Sequence, residues 1–154
     1  MTRIASAALF FAFALGVSPA GAADTGFPNL NVTNAKIIGP QTPTYNCIAW
    51  SLGITNRWEW PGNKVTDFDQ LNGRYGYKRM KALDFSPVKG MEKIVLYGKK
   101  VDGRWEMTHQ ARQMPNGKWT SKLGKSNLIE HSTPDDLDGD SYGRPVAVYV
   151  RPRR

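Results

Sequence analysis

Three side chains have the types and the spacing for covalent hydrolysis: Cys47, His109 and, twelve residues further on, Ser121. Cys47 is the single cysteine of the chain. It follows Asn46, a good N-cap, and Gly53 stands where a helix would stop, so Cys47–Leu52 reads as a short helix with the thiol in its first turn. Unpaired N–H groups there favour a thiolate, the nucleophilic form of cysteine. The competing role for a lone cysteine is a small buried hydrophobe. His109 lies in the alternating run Arg104–Met114, on the face shared with Trp105, Met107 and Ala111, and so points inward. An inward imidazole is either a satisfied core residue or the base that takes the thiol proton and later protonates the leaving amine.

The base needs a third group to orient it. Pro115-Asn116-Gly117 suits a three-residue hairpin loop with glycine in the left-handed position. In that register Met114 opposes Lys118, Ala111 opposes Ser121, and Ser121 shares the inward face with His109. A two-residue Asn-Gly turn would instead bring Thr120 to that face, and the more distant Glu130 is a further candidate. Alternation then sends Lys122 to the outer face. An oxyanion would be met by the Cys47 backbone N–H and a side-chain donor, with Asn46 and Tyr45 nearest. Asn46 has the simpler role of helix cap as its alternative. Trp58 and Trp60 are candidates for the walls of a peptide or glycan groove, or for a cap on the core.

The elements that must position these residues make an α+β domain. After the cysteine helix comes an aromatic loop, then a second helix over about 64–82 on the stripe Val65, Phe68 and Leu71. Strands follow at Met91–Lys99, Arg104–Met114, Lys118–Gly124 and Pro145–Val150, with Asp102-Gly103 as a hairpin turn and Thr133-Pro134 opening a single helical turn. Residues 23–43 read as an extended arm with a short strand near Ala35–Ile38. Residues 1–22 read as a secretory signal: Arg3, an apolar core from Ala7 to Leu15 too short to span a bilayer, and a small-residue cleavage site ending at Ala22. The expected chain is a secreted or periplasmic bacterial monomer of one domain over 44–154, without a membrane span after cleavage.

The remaining composition narrows the chemistry. One cysteine excludes an internal disulfide, and two histidines exclude a three-histidine zinc site. His131, the other imidazole, is a candidate supporting partner behind the catalytic residues; with Glu130 it makes a poor chelate, and Asp136–Asp140 fails the calcium-loop template because Ser141 and Ala147 occupy its glycine and bidentate glutamate positions. No metal and no cofactor is expected. The net charge of +8 favours an anionic partner such as the cell envelope. It is dispersed apart from Arg74–Lys81 and Arg151–Arg154, and no nucleic acid is expected as a partner.

The order of a helix-borne cysteine, a strand histidine and a polar residue on the next strand resembles papain-like thiol hydrolases of the NlpC type and related amidases. The wording also resembles an uncharacterised bacterial domain family, through Tyr45-Asn46-Cys47-Ile48-Ala49-Trp50-Ser51-Leu52-Gly53, Thr108-His109-Gln110-Ala111-Arg112-Gln113 and Gly117-Lys118-Trp119-Thr120-Ser121-Lys122-Leu123-Gly124, extended by Ile129-Glu130-His131 and Tyr142-Gly143. The resemblance implies a papain-like fold and cleavage of an amide in a peptide or peptidoglycan stem, with Cys47, His109 and Ser121 as the catalytic set. It departs at the third position, where His, Asn, Asp or Gln is usual. A hydroxyl orients more weakly than a carboxylate, which supports a second expectation: a non-catalytic envelope-binding or toxin-associated module of the same fold. A basic binder of nucleic acid or anionic glycan is the third.

Overall fold

The computed structural model describes residues 26–154, so the signal segment read over 1–22 lies outside the described residues. The elements are β1 (Ala35–Gly39), α1 (Cys47–Ser51), α2 (Val65–Arg74), β2 (Lys78–Arg79), β3 (Met91–Val101), β4 (Arg104–Gln113), β5 (Trp119–Lys122), β6 (Leu128–His131), a 3-10 turn (Pro134–Leu137) and β7 (Arg144–Pro152). The strands form one seven-stranded antiparallel sheet in the order β1-β6-β5-β4-β3-β7-β2. The class is α+β. Among the described residues no helix is long and apolar enough to cross a membrane.

Both helices end in the same way. Gly53 and Gly76 have φ of 82° and 83°, and the residues after them, Ile54 and Tyr77, donate back to the carbonyls of Ala49 and Asn72. This left-handed stop is cheap only for glycine. It ends α2 at Arg74 rather than near 82, and Lys78–Arg79 then pairs with β7 as a short edge strand. The arm is also part of the sheet, because β1 pairs with β6 along Ala35–Gly39.

The sheet is covered on both sides, which suits the continuous apolar run Ile94–Tyr97 of central β3. On one side Cys47, Ile48 and Leu52 of α1 and Phe68 and Leu71 of α2 pack on Ile94, Leu96, Ala147 and Tyr149. On the other, Val95, Tyr97, Ala111, Trp119 and Val148 are covered by Phe27, Leu137 and loop residues including Phe85 and Tyr142.

Two features of β4 position the candidate site. First, the β3–β4 ladder carries a bulge: Tyr97 opposes His109 but Gly98 opposes Met107, so Thr108 is the extra residue. A bulge reverses the facing of what lies beyond it. Met107 therefore packs on the helix side, while His109 and Ala111 face the other side, which corrects the single shared face read from alternation. Second, β4 and β5 pair only at Arg112↔Thr120 and Gln113↔Trp119. The loop has Gly117 at φ 82°, with Met114 N–H donating to Lys118 O, which is the three-residue register. Beyond those pairs the ladder stops, and α1 packs against both strands there.

A buried ion cluster closes the far side. Glu92, 3% exposed, accepts from Tyr77 Oη (2.6 Å) and Arg151 Nε (2.7 Å), and Arg112 lies 3.5 Å away. Burial pushes its carboxyl up, but the Tyr77 and Arg151 bonds and the Arg112 charge outweigh this and hold it below the usual glutamate value. Arg151 also donates to Tyr75 O and lies over the Tyr77 ring, so it is a fixed structural residue and not part of a free basic tail. Removing one partner strands the other charges in a dry site. Glu92→Ala is expected to cost about 3–5 kcal/mol, read as a lower urea midpoint, with Glu92→Gln intermediate. A shift below about 1 kcal/mol would show that water replaces the carboxylate freely.

Candidate active site

Asn46 fixes the start of α1. Its Oδ1 accepts from Ala49 N–H (3.1 Å) and Glu59 N–H (3.2 Å), and its Nδ2 donates to Glu59 O (2.8 Å). The residue is both helix cap and brace for the aromatic loop. Cys47 is then the first helical residue, and its thiol lies against the backbone N–H groups of Gln110 and Ile48 and its own. Gln110 is locked in turn, donating to Ser51 Oγ (2.9 Å) and accepting from Asn72 (2.8 Å).

The thiol is 5% exposed. Burial pushes it up to about 11, against the pull of those N–H groups and of the Lys122 charge. Position at a helix start predicts the opposite direction. A five-residue helix has a weak dipole, while enclosure penalises the anion fully. The resting thiol is therefore neutral.

His109 follows directly before Gln110 and is fully buried. Its ring stacks on Tyr142 (4.0 Å, 7° between planes) and meets Tyr97 edge-on. The Thr108 hydroxyl, on the bulge, donates to the Tyr142 carbonyl and holds that stack. A charge on Cys47 raises the Tyr142 phenol further above the level that burial sets, so the thiol is within electrostatic reach of the ring stacked on His109.

From His109 a chain of hydrogen bonds runs through the sheet. His109 Nε2 is 2.9 Å from Ser121 Oγ, Ser121 Oγ is 2.9 Å from His131 Nε2, and His131 Nδ1 is 2.8 Å from Thr133 O. The protons follow from the last link. A carbonyl only accepts, so His131 Nδ1 carries the hydrogen and, in the neutral ring, its Nε2 is an acceptor. Ser121 must donate its single hydrogen to that nitrogen, and its oxygen accepts from His109 Nε2–H. His109 Nδ1 is left as a bare lone pair, and among the described residues it has no hydrogen-bond partner. Burial holds the His109 imidazole well below the usual histidine value, with His131 adding to the shift. Burial also lowers His131, but the Thr133 carbonyl, Asp136 and Glu130 work in the other direction.

The other residues read from sequence fall as follows. Thr120 is turned away from His109, accepting from Trp50 Nε1 (3.0 Å) and donating to Arg112 O. Glu130 forms ion pairs with Lys36 (3.2 Å) and Lys118 (3.8 Å). Tyr45 stacks on Trp50. Trp58 and Trp60, 46% and 48% exposed, flank Glu59; Trp58 donates to Pro43 O and Trp60 meets Phe68 edge-on. A cavity of about 620 Å³ lined by Leu83, Phe85, Trp105, Met107, Asp138 and Arg144 among others does not include Cys47, His109 or Ser121. Among the described residues no group of three or more His, Cys, Asp or Glu is placed to hold a metal.

Lys122 and His131 stand in places that alternation and turn residues do not give. Lys122 is not on an outer face: it is fully buried, donates to Thr42 O, Gly124 O and Ser126 O, and lies 5.3 Å from the Tyr45 ring centroid. His131 stands on β6, a strand that turn residues alone did not reveal, and only its pairing with β5 brings it to Ser121.

Neither a curated protein nor a solved structure gives a significant match to the chain. The family model of a domain of unknown function, DUF7689, matches residues 36–150, a span that holds every residue of the Cys47–His109–Ser121–His131 set, and the chain belongs to that family.

Proposed function

We propose that the chain is a papain-like cysteine hydrolase of amide bonds, with a peptide or peptidoglycan stem as substrate and the bacterial periplasm or exterior as its place of work. The observation that carries this reading is the tautomer chain, which leaves the Nδ1 lone pair of His109 bare beside the residue whose N–H meets the Cys47 thiol. The reaction requires the Cys47 thiol to reach His109 Nδ1 through the gap between β4 and β5, where α1 packs against both strands; Nδ1 then takes the Sγ proton and the sulfur attacks the amide carbonyl. The backbone N–H of Cys47 supports the oxyanion. Collapse expels the amine, which takes the proton back from His109, and leaves a thioester. Water, deprotonated by His109, then releases the acid and restores the thiol. The Asn46 amide is tied to Glu59, which leaves Tyr45 as the side-chain candidate at the oxyanion. The nearly enclosed thiol requires its cover to open for substrate.

That same enclosure favours a second reading, a non-catalytic envelope-binding module in which Cys47 packs as a small hydrophobe. Iodoacetamide alkylation from about pH 4 to about pH 10 separates the two. A lone thiol titrating near 11 is about 10⁻⁴ ionised at neutral pH, and its rate climbs tenfold per pH unit. The hydrolase reading requires a neutral-pH rate at least about 100-fold above that, lost in His109→Ala. A thiol that is unreactive or follows the lone-thiol line in both proteins would overturn it.

A further inference from the structure

We propose that the proton leaving Cys47 comes to rest on His131, passed on through His109 and Ser121, so that His131 is the charge-holding positioning residue of the site. The inference rests on the cysteine-hydrolase reading above. Its basis is that the hydrogen bonds are not only continuous but all oriented one way. Each of His109, Ser121 and His131 donates toward Thr133; Ser121 and His131 each accept from the residue before them in the chain of bonds, and His109 Nδ1 has no partner among the described residues. Three transfers then balance, the first across the β4–β5 gap and the other two along hydrogen bonds of 2.9 Å. The Sγ–H bond breaks as His109 Nδ1–H forms; the His109 Nε2 hydrogen moves to Ser121 Oγ; the Ser121 hydrogen moves to His131 Nε2. The products are a Cys47 thiolate, a neutral His109 carrying hydrogen on Nδ1 instead of Nε2, and a His131 imidazolium.

The two imidazoles differ in what surrounds the positive charge. His109 is packed between the faces and edges of Tyr142 and Tyr97, with no carboxylate against it. His131 already donates to the Thr133 carbonyl. From the 3-10 turn Asp136 faces it, with Asp136 itself tied to Thr133 N–H and Asn34. From its own strand Glu130 adds a negative charge, partly met by Lys36 of β1 and by Lys118 just ahead of β5. From β4 the facing group is His109. The charge therefore sits better at the end of the chain than in its middle. Ser121 acts as a conduit, which explains a hydroxyl where an orienting carboxylate or amide is usual: an acceptor-only carboxylate could not pass a proton on.

The test is His131→Gln in the full chain. Glutamine keeps an acceptor for Ser121 and a donor for Thr133 O, so it preserves the orientation of His109, but it cannot hold a proton. Alkylation of Cys47 at neutral pH should fall about 100-fold, while long-range ¹H–¹⁵N spectra still show His109 protonated at Nε2. A near-wild-type rate with that tautomer intact would make His131 an orienting group only and overturn the proposal, leaving the hydrolase reading in place. Wild-type protein supplies a measurement that does not depend on the variant folding. In mixtures of H₂O and D₂O the alkylation rate should bow, because several protons move together; a straight line overturns the relay. A wild-type alkylation profile that His109→Ala leaves unchanged would instead sink the parent reading.

Discussion

Lowering the pH from about 7.5 to about 5 destabilises this fold steeply, before the bulk of its carboxylates titrate. Both histidines are enclosed as neutral rings, and burial sets their folded pKa values below the ordinary 6.5. The sign follows from that direction. Below 6.5 the unfolded chain binds protons that the folded chain refuses, so stability is full above that pH and is lost as pH falls. Each histidine contributes a slope of about 1.4 kcal/mol per pH unit until its folded pKa is reached. Two such slopes together remove about 3 kcal/mol per pH unit from a stability of about 5–15 kcal/mol. Lowered carboxylates such as Glu92 and Glu130 add to the decline only further down, below 4.5. Urea midpoints at about pH 7.5, 6.5 and 5.5 should fall in wild type and stay nearly level in the His109→Gln/His131→Gln protein. If that protein does not fold, the Cε1 protons of wild-type histidines give the same information, both titrating below 6.5 while the chain is folded. A level wild-type midpoint, or histidines that titrate near 6.5 in the folded state, would show that the rings are open to water.

Much of the site was legible because its determinants are local. Asn46 and Gly53 bracket a five-residue helix with the cap and stop that their side chains favour. Pro115-Asn116-Gly117 sets a register that depends only on the loop, and that register is what places Ser121 diagonal to His109. What escaped was decided across the sheet. The bulge that turns Met107 away from His109 is set by pairing with β3, where Gly98 leaves room for the Met107 side chain: a Cβ there would stand 2.8 Å from Met107 Cε. No pattern within β4 carries that information. The helix read over about 64–82 has its apolar stripe only as far as Leu71, and the chain reverses at Gly76 and pairs Lys78 with Val150. Four-residue β6 is too short to show alternation, and His131 acquires its role only from its partner strand. The direction of the thiol shift was missed because a helix start is visible in sequence and enclosure is not. Lys122 was misplaced for a related reason, since a lysine on an alternating strand reads as solvent-facing unless something distant receives it.

Lys122→Met should lower stability by about 3 kcal/mol or more. Methionine keeps the length and apolar volume of the stem, so the loss is that of the ammonium. Three carbonyls converge on it from two separate places, Thr42 in the arm at 2.9 Å and Gly124 and Ser126 in the turn after β5 at 2.7 and 2.6 Å. All three lose their charged donor at once, and the arm is released from the β5–β6 turn. An unpaired buried carbonyl costs about 1–3 kcal/mol, and water entering the gap recovers part of that. Arginine is a poor replacement, because its planar fork does not fit three convergent acceptors gathered around one point. The charge of the same ammonium draws the Cys47 thiol down, so the variant should also move thiol titration further up from about 11. The two readouts separate the roles: urea unfolding reports the lost carbonyl clamp, and the pH dependence of alkylation reports the lost field. Lys81→Met, on an exposed lysine, is the control and should leave both unchanged. If Lys122→Met matches that control in stability, the three carbonyls are reached by water. If it destabilises the fold without shifting the thiol, Lys122 anchors the arm and plays no part in the charge state of Cys47.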